Sequence, residues 1–207
     1  MHFTQFALSE NFDRAFLFAS RLHRFQKRKN IPMPFMVHLM SVASLTCEHI
    51  GFVCDDPREA ENYVMTAILH DTIEDQGGAK TYDALKDAFG PQIADNVLML
   101  SDSIPDEKGQ KPPKSERNLA YYEKMTSAPI GIVLISCCDK VHNMRTMHAD
   151  FLVAESPATF WKAFSQEPSP TIANYQKLHD LYAQRLGENR IIRLYEEALD
   201  AIEKIPQ

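Results

Sequence analysis

Residues 128–147 read APIGIVLISCCDKVHNMRTM, and no other segment of the chain constrains the fold more. The part from Ile130 to Ile135 is apolar on every side of a helix, whereas the part after Cys138 turns polar. A helix that is apolar all round is typical of the centre of a globular core. The sequence therefore predicts a long central helix over 128–147, with the Asp139 carboxylate where its apolar half ends.

The segments around this helix carry apolar residues at helical spacing, with caps at Ser9 and Thr81 and a helix start at Asp56-Pro57. Besides the central helix, the expected helices span about 9–29, 34–50, 56–73, 81–89, 91–101, 115–126, 156–165, 171–186 and 188–204. Residues 103–117 are predicted to form a loop. Neither strand alternation nor an internal repeat is present. The prediction is an all-α, single-domain bundle of about eight to ten helices over 1–207, with its motifs within about 9–147 and further helices over 148–207.

Composition narrows the classes of protein to consider. The chain has 207 residues, of which 44% are hydrophobic and 24% charged, which argues against intrinsic disorder. The net charge of −6 disfavours non-specific nucleic-acid binding. The four cysteines form no C-x-x-C pair, and Glu10 and Asp13 interrupt any signal-peptide core. We therefore expect a cytoplasmic protein with reduced thiols and neither a nucleic-acid nor a membrane partner.

Residues 69–75, LHDTIED, place four titratable side chains at the end of an apolar helix. On a continuous helix, His70 and Glu74 are i, i+4 neighbours, as are Asp71 and Asp75. Four such groups are costly at a partly buried helix end unless a cation neutralises them. A divalent metal meets that need, because histidine and aspartate supply the mixed nitrogen and oxygen ligands that such metals accept.

Other segments offer further ligands to this metal. The Asp139 carboxylate needs a partner, because it lies at the end of a buried apolar stretch. His38 lies in a helix entered through Pro34-Phe35. Asn143 follows Asp139 at i+4 and is therefore expected to face the same cavity.

Together these motifs resemble a known family. His38, His70-Asp71 and Asp139 look like the H…HD…D metal signature of the HD hydrolase superfamily. The fuller pattern resembles the hydrolase domain of RelA/SpoT-type alarmone enzymes, and more closely the stand-alone small alarmone hydrolases of the metazoan SpoT-homologue type. In order along the chain, it comprises HRFQKRK (23–29), PFMVH (34–38), AILHDTIED (67–75), FG (89–90) and CDKVHNMRT (138–146).

The resemblance implies an all-helical fold, one manganese ion and an activity. That activity is hydrolysis of the 3′-pyrophosphate of guanosine tetra- and pentaphosphate, which gives GDP or GTP plus pyrophosphate. By motif position, the metal ligands would be His38, His70, Asp71 and Asp139. Glu74 and Asp75 would orient and deprotonate the attacking water. Arg28 and Lys29 would hold the base and phosphates, and Asn143 and Thr146 would contact the ribose side.

Basic residues could serve a polyanionic substrate. Residues 21–29 contain five cations and no acid, and the planar Arg28 guanidinium can stack on a base. In the 103–117 loop, the candidates to cover the phosphates are Lys108, Lys111, Lys114 and Arg117.

Two alternatives stay open. The same fold could instead act as a nucleotide phosphatase that removes the 2′-phosphate of NADPH. The chain could also be a non-catalytic, metal-bound regulatory module, which the full ligand set and both acidic candidates disfavour. Metal identity is open too, since Mn, Fe, Co and Zn accept two histidines and two aspartates. Base preference and oligomeric state are likewise open.

Overall fold

The structure is a computed structural model that describes residues 2–29, 31–104, 110–162, 164 and 167–206. The described helices are α1 (Glu10–Leu22), α2 (Met36–His49), α3 (Pro57–Leu69), α4 (Thr72–Asp75), α5 (Ala79–Phe89), α6 (Pro91–Leu100), α7 (Lys114–Ser127), α8 (Ile130–Leu152), α9 (Pro157–Trp161), α10 (Pro168–Leu186) and α11 (Arg190–Glu203). A short 3-10 turn, Ile50–Phe52, follows α2. Within the described ranges the extended pairing is an isolated antiparallel bridge between Lys27 and Pro34, so the all-α prediction is confirmed.

Helix α8 lies at the centre, as its sequence predicts. Its residues 131–139 are all buried, and it packs against α2, α3, α10 and α11. Gly131 permits a close approach of α3, because a Cβ at this position would overlap the ring of Tyr63 on that helix. The packing on several sides explains why the first half of α8 carries apolar residues all round.

Helices α1 and α3 begin at the predicted caps, whereas α5 does not. The Ser9 hydroxyl accepts the Asn11 N–H, and the Asp56 carboxylate accepts the N–H groups of Arg58 and Glu59. Thr81 was expected to cap α5 but lies inside it. The hydroxyl of Thr81 donates instead to the Gln76 carbonyl.

Helix α1 ends at Leu22, well short of the expected residue 29. The following segment pairs with 33–35: Arg28 N–H donates to the Met33 carbonyl at 3.0 Å, and Phe35 N–H donates to the Gln26 carbonyl at 2.9 Å. These main-chain groups are therefore used across the turn rather than along a helix.

The helix expected over 56–73 breaks at His70 and Asp71, between α3 and α4. The Thr72 hydroxyl donates to the Leu69 carbonyl at 2.6 Å, which competes with helix continuation. His70 and Asp71 thus sit in a turn that directs both side chains toward α2 and α8.

The C-terminal helices complete the core. Helices α10 and α11 pack on α8, and the Trp161 indole N–H donates to the Pro206 carbonyl at 2.9 Å. Helix α9 ends at Trp161, before the expected residue 165. The four cysteines are free, and three of them are buried. Across the part of the chain described, no helix is both long and apolar enough to cross a membrane.

Candidate metal centre and substrate cavity

A cavity of about 330 Å³ opens between the 23–29 segment, the α3–α4 break and helices α2, α7, α8 and α10. Nine of the ten predicted site residues line it: Arg28, Lys29, His38, His70, Asp71, Glu74, Asp75, Asp139 and Asn143. Thr146, the tenth, lines a smaller adjoining cavity together with Arg28 and Asn143. Residues far apart in the sequence therefore meet at one place.

Three of the four predicted metal ligands converge on one point, and the fourth, Asp139, lies beside them. Ligand atoms of His38, His70 and Asp71 all lie within 4.8 Å of one another. Asp139 falls outside that group of three, but its Oδ1 lies 3.3 Å from His38 Nε2 and 3.9 Å from His70 Nε2. Ligands about 2.1 Å from one metal ion are roughly 3 to 3.5 Å apart, and the donor atoms of His38, His70 and Asp71 have this spacing, so they suit a single divalent cation.

The second nitrogen of each imidazole is engaged in a way that suits metal binding. The Nδ1–H of His70 donates to the Ala67 carbonyl at 2.8 Å, which leaves Nε2 with its lone pair. His38 Nδ1 lies 2.8 Å from His142 Nδ1. Burial and the nearby His38 lower the pKa of His142 to about 3, so this ring is neutral and can accept the His38 Nδ1–H. With the Nδ1 protons placed in this way, both Nε2 atoms are available to a metal ion, whose binding would displace the proton that His70 otherwise keeps.

The electrostatics of the centre call for positive charge. Burial alone would lower the pKa of His70, but Asp71 and Asp139 raise it to about 9. Burial would raise the pKa of Asp139, but the Lys140 ammonium, 2.5 Å from Oδ2, and the two imidazoles hold it well below its usual range. Without another cation, the His70 imidazole therefore binds its proton more tightly than a free imidazole does. A divalent ion would meet the same demand.

Glu74 is a carboxylate held at both oxygens. The Asp102 main-chain N–H donates to Oε2 at 2.9 Å, and the Lys111 ammonium donates to Oε1 at 2.7 Å. Burial, followed by the charge of Asp102, raises the pKa of Glu74 to about 7 despite Lys111. A carboxylate with such a pKa can exchange a proton near neutral pH.

Asp75 differs from Glu74 in its exposure to the cavity. Its Oδ2 accepts the Gln26 amide N–H at 2.8 Å, while the described residues give Oδ1 no hydrogen bond. Desolvation by the surrounding protein and the charge of Asp71 raise the pKa of Asp75. A carboxylate with a raised pKa and an oxygen left without a described hydrogen bond can accept a proton.

Three of the predicted substrate-binding residues contact one another. Arg28 Nη2 donates to Asn143 Oδ1 at 3.1 Å and to Thr146 Oγ1 at 3.2 Å. Asn143 in turn donates to Asp139 Oδ1 at 2.6 Å, which links this cluster to the candidate metal centre. Lys29 lies at the exposed rim.

Among the cations before and within α7, Lys114 lines the cavity, and Lys111 and Arg117 contact carboxylates that line it. Lys114 and Arg117 contact Asp102 Oδ2 at 3.0 Å and 2.6 Å, and Lys111 contacts Glu74. Lys108, the other cation proposed for this loop, lies outside the described residues. The cations and carboxylates here neutralise each other.

Sequence reasoning missed several residues of the site. Asp102 anchors Lys114 and Arg117, and it could have been found as a carboxylate directly after the apolar end of α6. Lys140 contacts Asp139 and lies 4.9 Å from the Tyr121 ring. Helix α10 contributes Thr171, Asn174 and Tyr175. We find no local signal for these three, because 148–207 shows only helical periodicity.

The fold has a close counterpart among solved structures. That counterpart is described as a metazoan ortholog of SpoT that hydrolyses ppGpp and plays a role in starvation responses. The superposition has a TM-score of 0.70 and covers 98% of this chain and 100% of that chain, at 22% sequence identity. At this identity the likeness concerns the fold.

Two bacterial proteins are similar to part of this chain in sequence. The chain is 34% identical over 118 residues to the guanosine-3′,5′-bis(diphosphate) 3′-pyrophosphohydrolase of Haemophilus influenzae, which covers 55% of this chain and 15% of that protein. It is 30% identical over 137 residues to the bifunctional (p)ppGpp synthase/hydrolase SpoT of Escherichia coli, covering 65% and 18%. The chain thus spans less than a fifth of the length of these relatives.

The family model for the HD domain matches residues 15–162, which is well over half of the chain. The matched range includes the His70-Asp71 pair and the two more distant residues, His38 and Asp139, that the fold brings to it. The chain belongs to the HD-domain family.

Proposed function

We propose that this protein is a metal-dependent hydrolase that removes the 3′-pyrophosphate of guanosine tetra- and pentaphosphate, giving GDP or GTP and pyrophosphate. The observation that carries the proposal is the meeting, in one cavity, of the four predicted metal ligands, two carboxylates of raised pKa, and Arg28 with its partner Asn143. The names of the Haemophilus and Escherichia relatives support the choice of substrate.

His38, His70, Asp71 and Asp139 would hold the metal, for which we propose manganese. When bound, a divalent metal lowers the pKa of water and polarises a phosphoryl oxygen. The Ala67 carbonyl and His142 accept the Nδ1 protons of His70 and His38, so that both Nε2 atoms would be left to bind the metal. Lys140 holds the second oxygen of Asp139 and so orients the first.

The proton of the attacking water passes to the Glu74–Asp75 pair. Asp75 is the better acceptor of the two, because its Oδ1 has no hydrogen bond from the described residues whereas both Glu74 oxygens are engaged. The water oxygen forms a bond to the phosphorus on the ribose 3′ oxygen. The bond from that phosphorus to the 3′ oxygen breaks, pyrophosphate leaves, and the 3′ oxygen takes a proton from solvent.

Cations on both sides of the cavity suit a substrate with phosphates at its 3′ and 5′ positions. Arg28 presents a planar guanidinium beside Asn143 and Thr146, which suits stacking on a base next to polar contacts to a ribose. Lys111, Lys114 and Arg117 can exchange their carboxylate partners for phosphate oxygens.

Product analysis tests the proposal. The purified protein with Mn²⁺ receives guanosine tetraphosphate, its adenine analogue or NADPH, and the products are separated by ion exchange. We expect GDP and pyrophosphate, lost in Asp71→Asn and retained in Asp180→Asn, which changes an exposed carboxylate that does not line the cavity. Release of phosphate from NADPH, with no turnover of the other two compounds, would instead indicate a phosphatase that acts on NADPH. Absence of turnover on all three would overturn the proposal and favour a non-catalytic module.

A further inference from the structure

The Asp75 carboxylate is linked to two residues of the 23–29 segment that the mechanism has not used. Gln26 Nε2 donates to Asp75 Oδ2 at 2.8 Å, although the two residues are 49 positions apart. On its other side, the Gln26 amide contacts the imidazole of His23, with Oε1 2.7 Å from Nδ1. A chain of two hydrogen bonds therefore runs from a buried histidine to the candidate proton acceptor.

The neighbours of Gln26 permit only one orientation of its amide. Oε1 receives a hydrogen bond from the Gln76 Nε2 as well as from His23 Nδ1. Turning the amide over would place its NH₂ against the Gln76 donor and its oxygen against the Asp75 carboxylate. Nε2 must therefore face Asp75.

The side chain of His23 is buried, and Gln26 is its described hydrogen-bond partner. Its ring is 1% exposed, stacks on Phe35 at 5.2 Å between centroids, and has no described hydrogen-bond partner at Nε2. Burial lowers the pKa of His23 below its ordinary value, so the ring is neutral. A neutral ring next to the Gln26 oxygen carries its proton on Nδ1. An imidazole buried with one nitrogen unsatisfied has a stability cost, and its described polar contact is the one to Gln26.

We propose that His23 and Gln26 are positioning residues that hold the Asp75 carboxylate in one orientation, with Oδ2 bound to Gln26 and Oδ1 left to accept a proton from water. The inference rests on the proposed function for its catalytic consequence, but the hydrogen-bond chain itself exists without substrate. Misplacing a proton acceptor by a fraction of an ångström slows the chemical step without weakening substrate binding.

Steady-state kinetics on guanosine tetraphosphate separate positioning from simple support of the loop. In Gln26→Met, which keeps the length of the side chain, we expect kcat to fall about 10- to 100-fold with little change in KM. In His23→Phe, which keeps the stacking on Phe35, we expect a smaller fall in kcat. His23→Asn restores much of it, because its amide N–H can replace the Nδ1–H. Phe25→Met, on the same segment with an uncharged and exposed side chain, is the matched control.

A raised KM with unchanged kcat in Gln26→Met would overturn the inference, since Arg28 lies on the same segment and a loosened loop displaces it. Equal loss in His23→Phe and His23→Asn would also overturn the role of the Nδ1–H.

Nitrogen-15 and carbon-13 NMR test the hydrogen bonds from His23 through Gln26 to Asp75 when no substrate is present. We expect His23 to be the Nδ1–H tautomer, and the Asp75 carboxyl carbon-13 signal to shift in Gln26→Met but not in Phe25→Met. An Nε2–H tautomer or an unmoved Asp75 signal would contradict the inference. If these signals behave as expected while the wild-type protein turns over no guanosine tetraphosphate, the proposed function fails and the positioning of Asp75 stands.

Discussion

The two histidines of the candidate metal centre are oriented by different partners. His70 donates to a main-chain carbonyl, which no substitution of a side chain removes. His38 depends on the side chain of His142, on α8. His142 belongs to the 138–146 motif of the sequence. Its contact with His38 could not be predicted, because the two residues are 104 positions apart.

Removing the ring nitrogens of His142 is expected to weaken metal binding. In His142→Phe, the Nδ1–H of His38 loses its acceptor, and the tautomer with Nε2 as donor becomes more favourable. We expect the Kd for Mn²⁺, measured by isothermal titration calorimetry, to rise about 10- to 100-fold. His148→Phe, also on α8, is the control and is expected to leave the Kd unchanged. Equal affinities in both variants would rule out the role of His142.

The raised pKa of Glu74 predicts a pH-dependent stability in the metal-free protein. Burial and Asp102 raise this pKa from 4.5 to about 7, so over that window the folded chain keeps a proton that the unfolded chain has released. The contribution of Glu74 to the free energy of unfolding therefore falls as pH rises from about 4.5 to about 7. In urea unfolding with a chelator, we expect the stability of Glu74→Gln relative to the wild type to increase by about 1–3 kcal/mol between about pH 5 and about pH 8. A pH-independent difference would contradict this.

Among the helices, local patterns predicted starts better than ends. The centre of α8 and the start of α3 followed from apolar periodicity and from an Asp-Pro cap, which are local signals. The end of α1 and the break after Leu69 did not, because they depend on hydrogen bonds to residues 33–35 and to the Thr72 hydroxyl. The break is also what turns His70 and Asp71 toward the cavity.

Close packing of α3 on α8 gives a test at this scale. Alanine is normally about 1 kcal/mol better than glycine inside a helix. In Gly131→Ala, however, the added methyl overlaps the Tyr63 ring, and we expect a net destabilisation of about 1–3 kcal/mol by urea unfolding. Combining Gly131→Ala with Tyr63→Leu should recover part of the loss. If Gly131→Ala proves stabilising, α3 and α8 do not pack as described.

At the scale of the whole molecule, the cavity is assembled from segments that span most of the chain. The predicted residues came from motifs at 23–29, 34–38, 67–75 and 138–146. Thr171, Asn174 and Tyr175 on α10 could not be predicted, because their place depends on how α10 packs on α8. The net charge of −6 also gives no indication that cations lie on two sides of the cavity.

Metal loading should stabilise the whole fold, because the ligands come from α2, α8 and the turn between α3 and α4. At a Mn²⁺ concentration about 100-fold above Kd, binding contributes about 2.7 kcal/mol. For a chain of this size we expect Tm, measured by scanning calorimetry, to rise by about 5–10 °C and to fall back with a chelator. Asp139→Asn should show little of this rise, whereas Asp180→Asn should keep it. A rise of equal size in Asp139→Asn would place the metal elsewhere.

Hydrolysis of guanosine tetraphosphate in ¹⁸O-labelled water, with mass analysis of both products, tests the central claim most directly. Attack of water at the phosphorus on the 3′ oxygen predicts one labelled oxygen in the released pyrophosphate and none in GDP, with no reaction in Asp71→Asn. Label in GDP, or release of orthophosphate in place of pyrophosphate, would contradict the account of which bond this cavity cleaves.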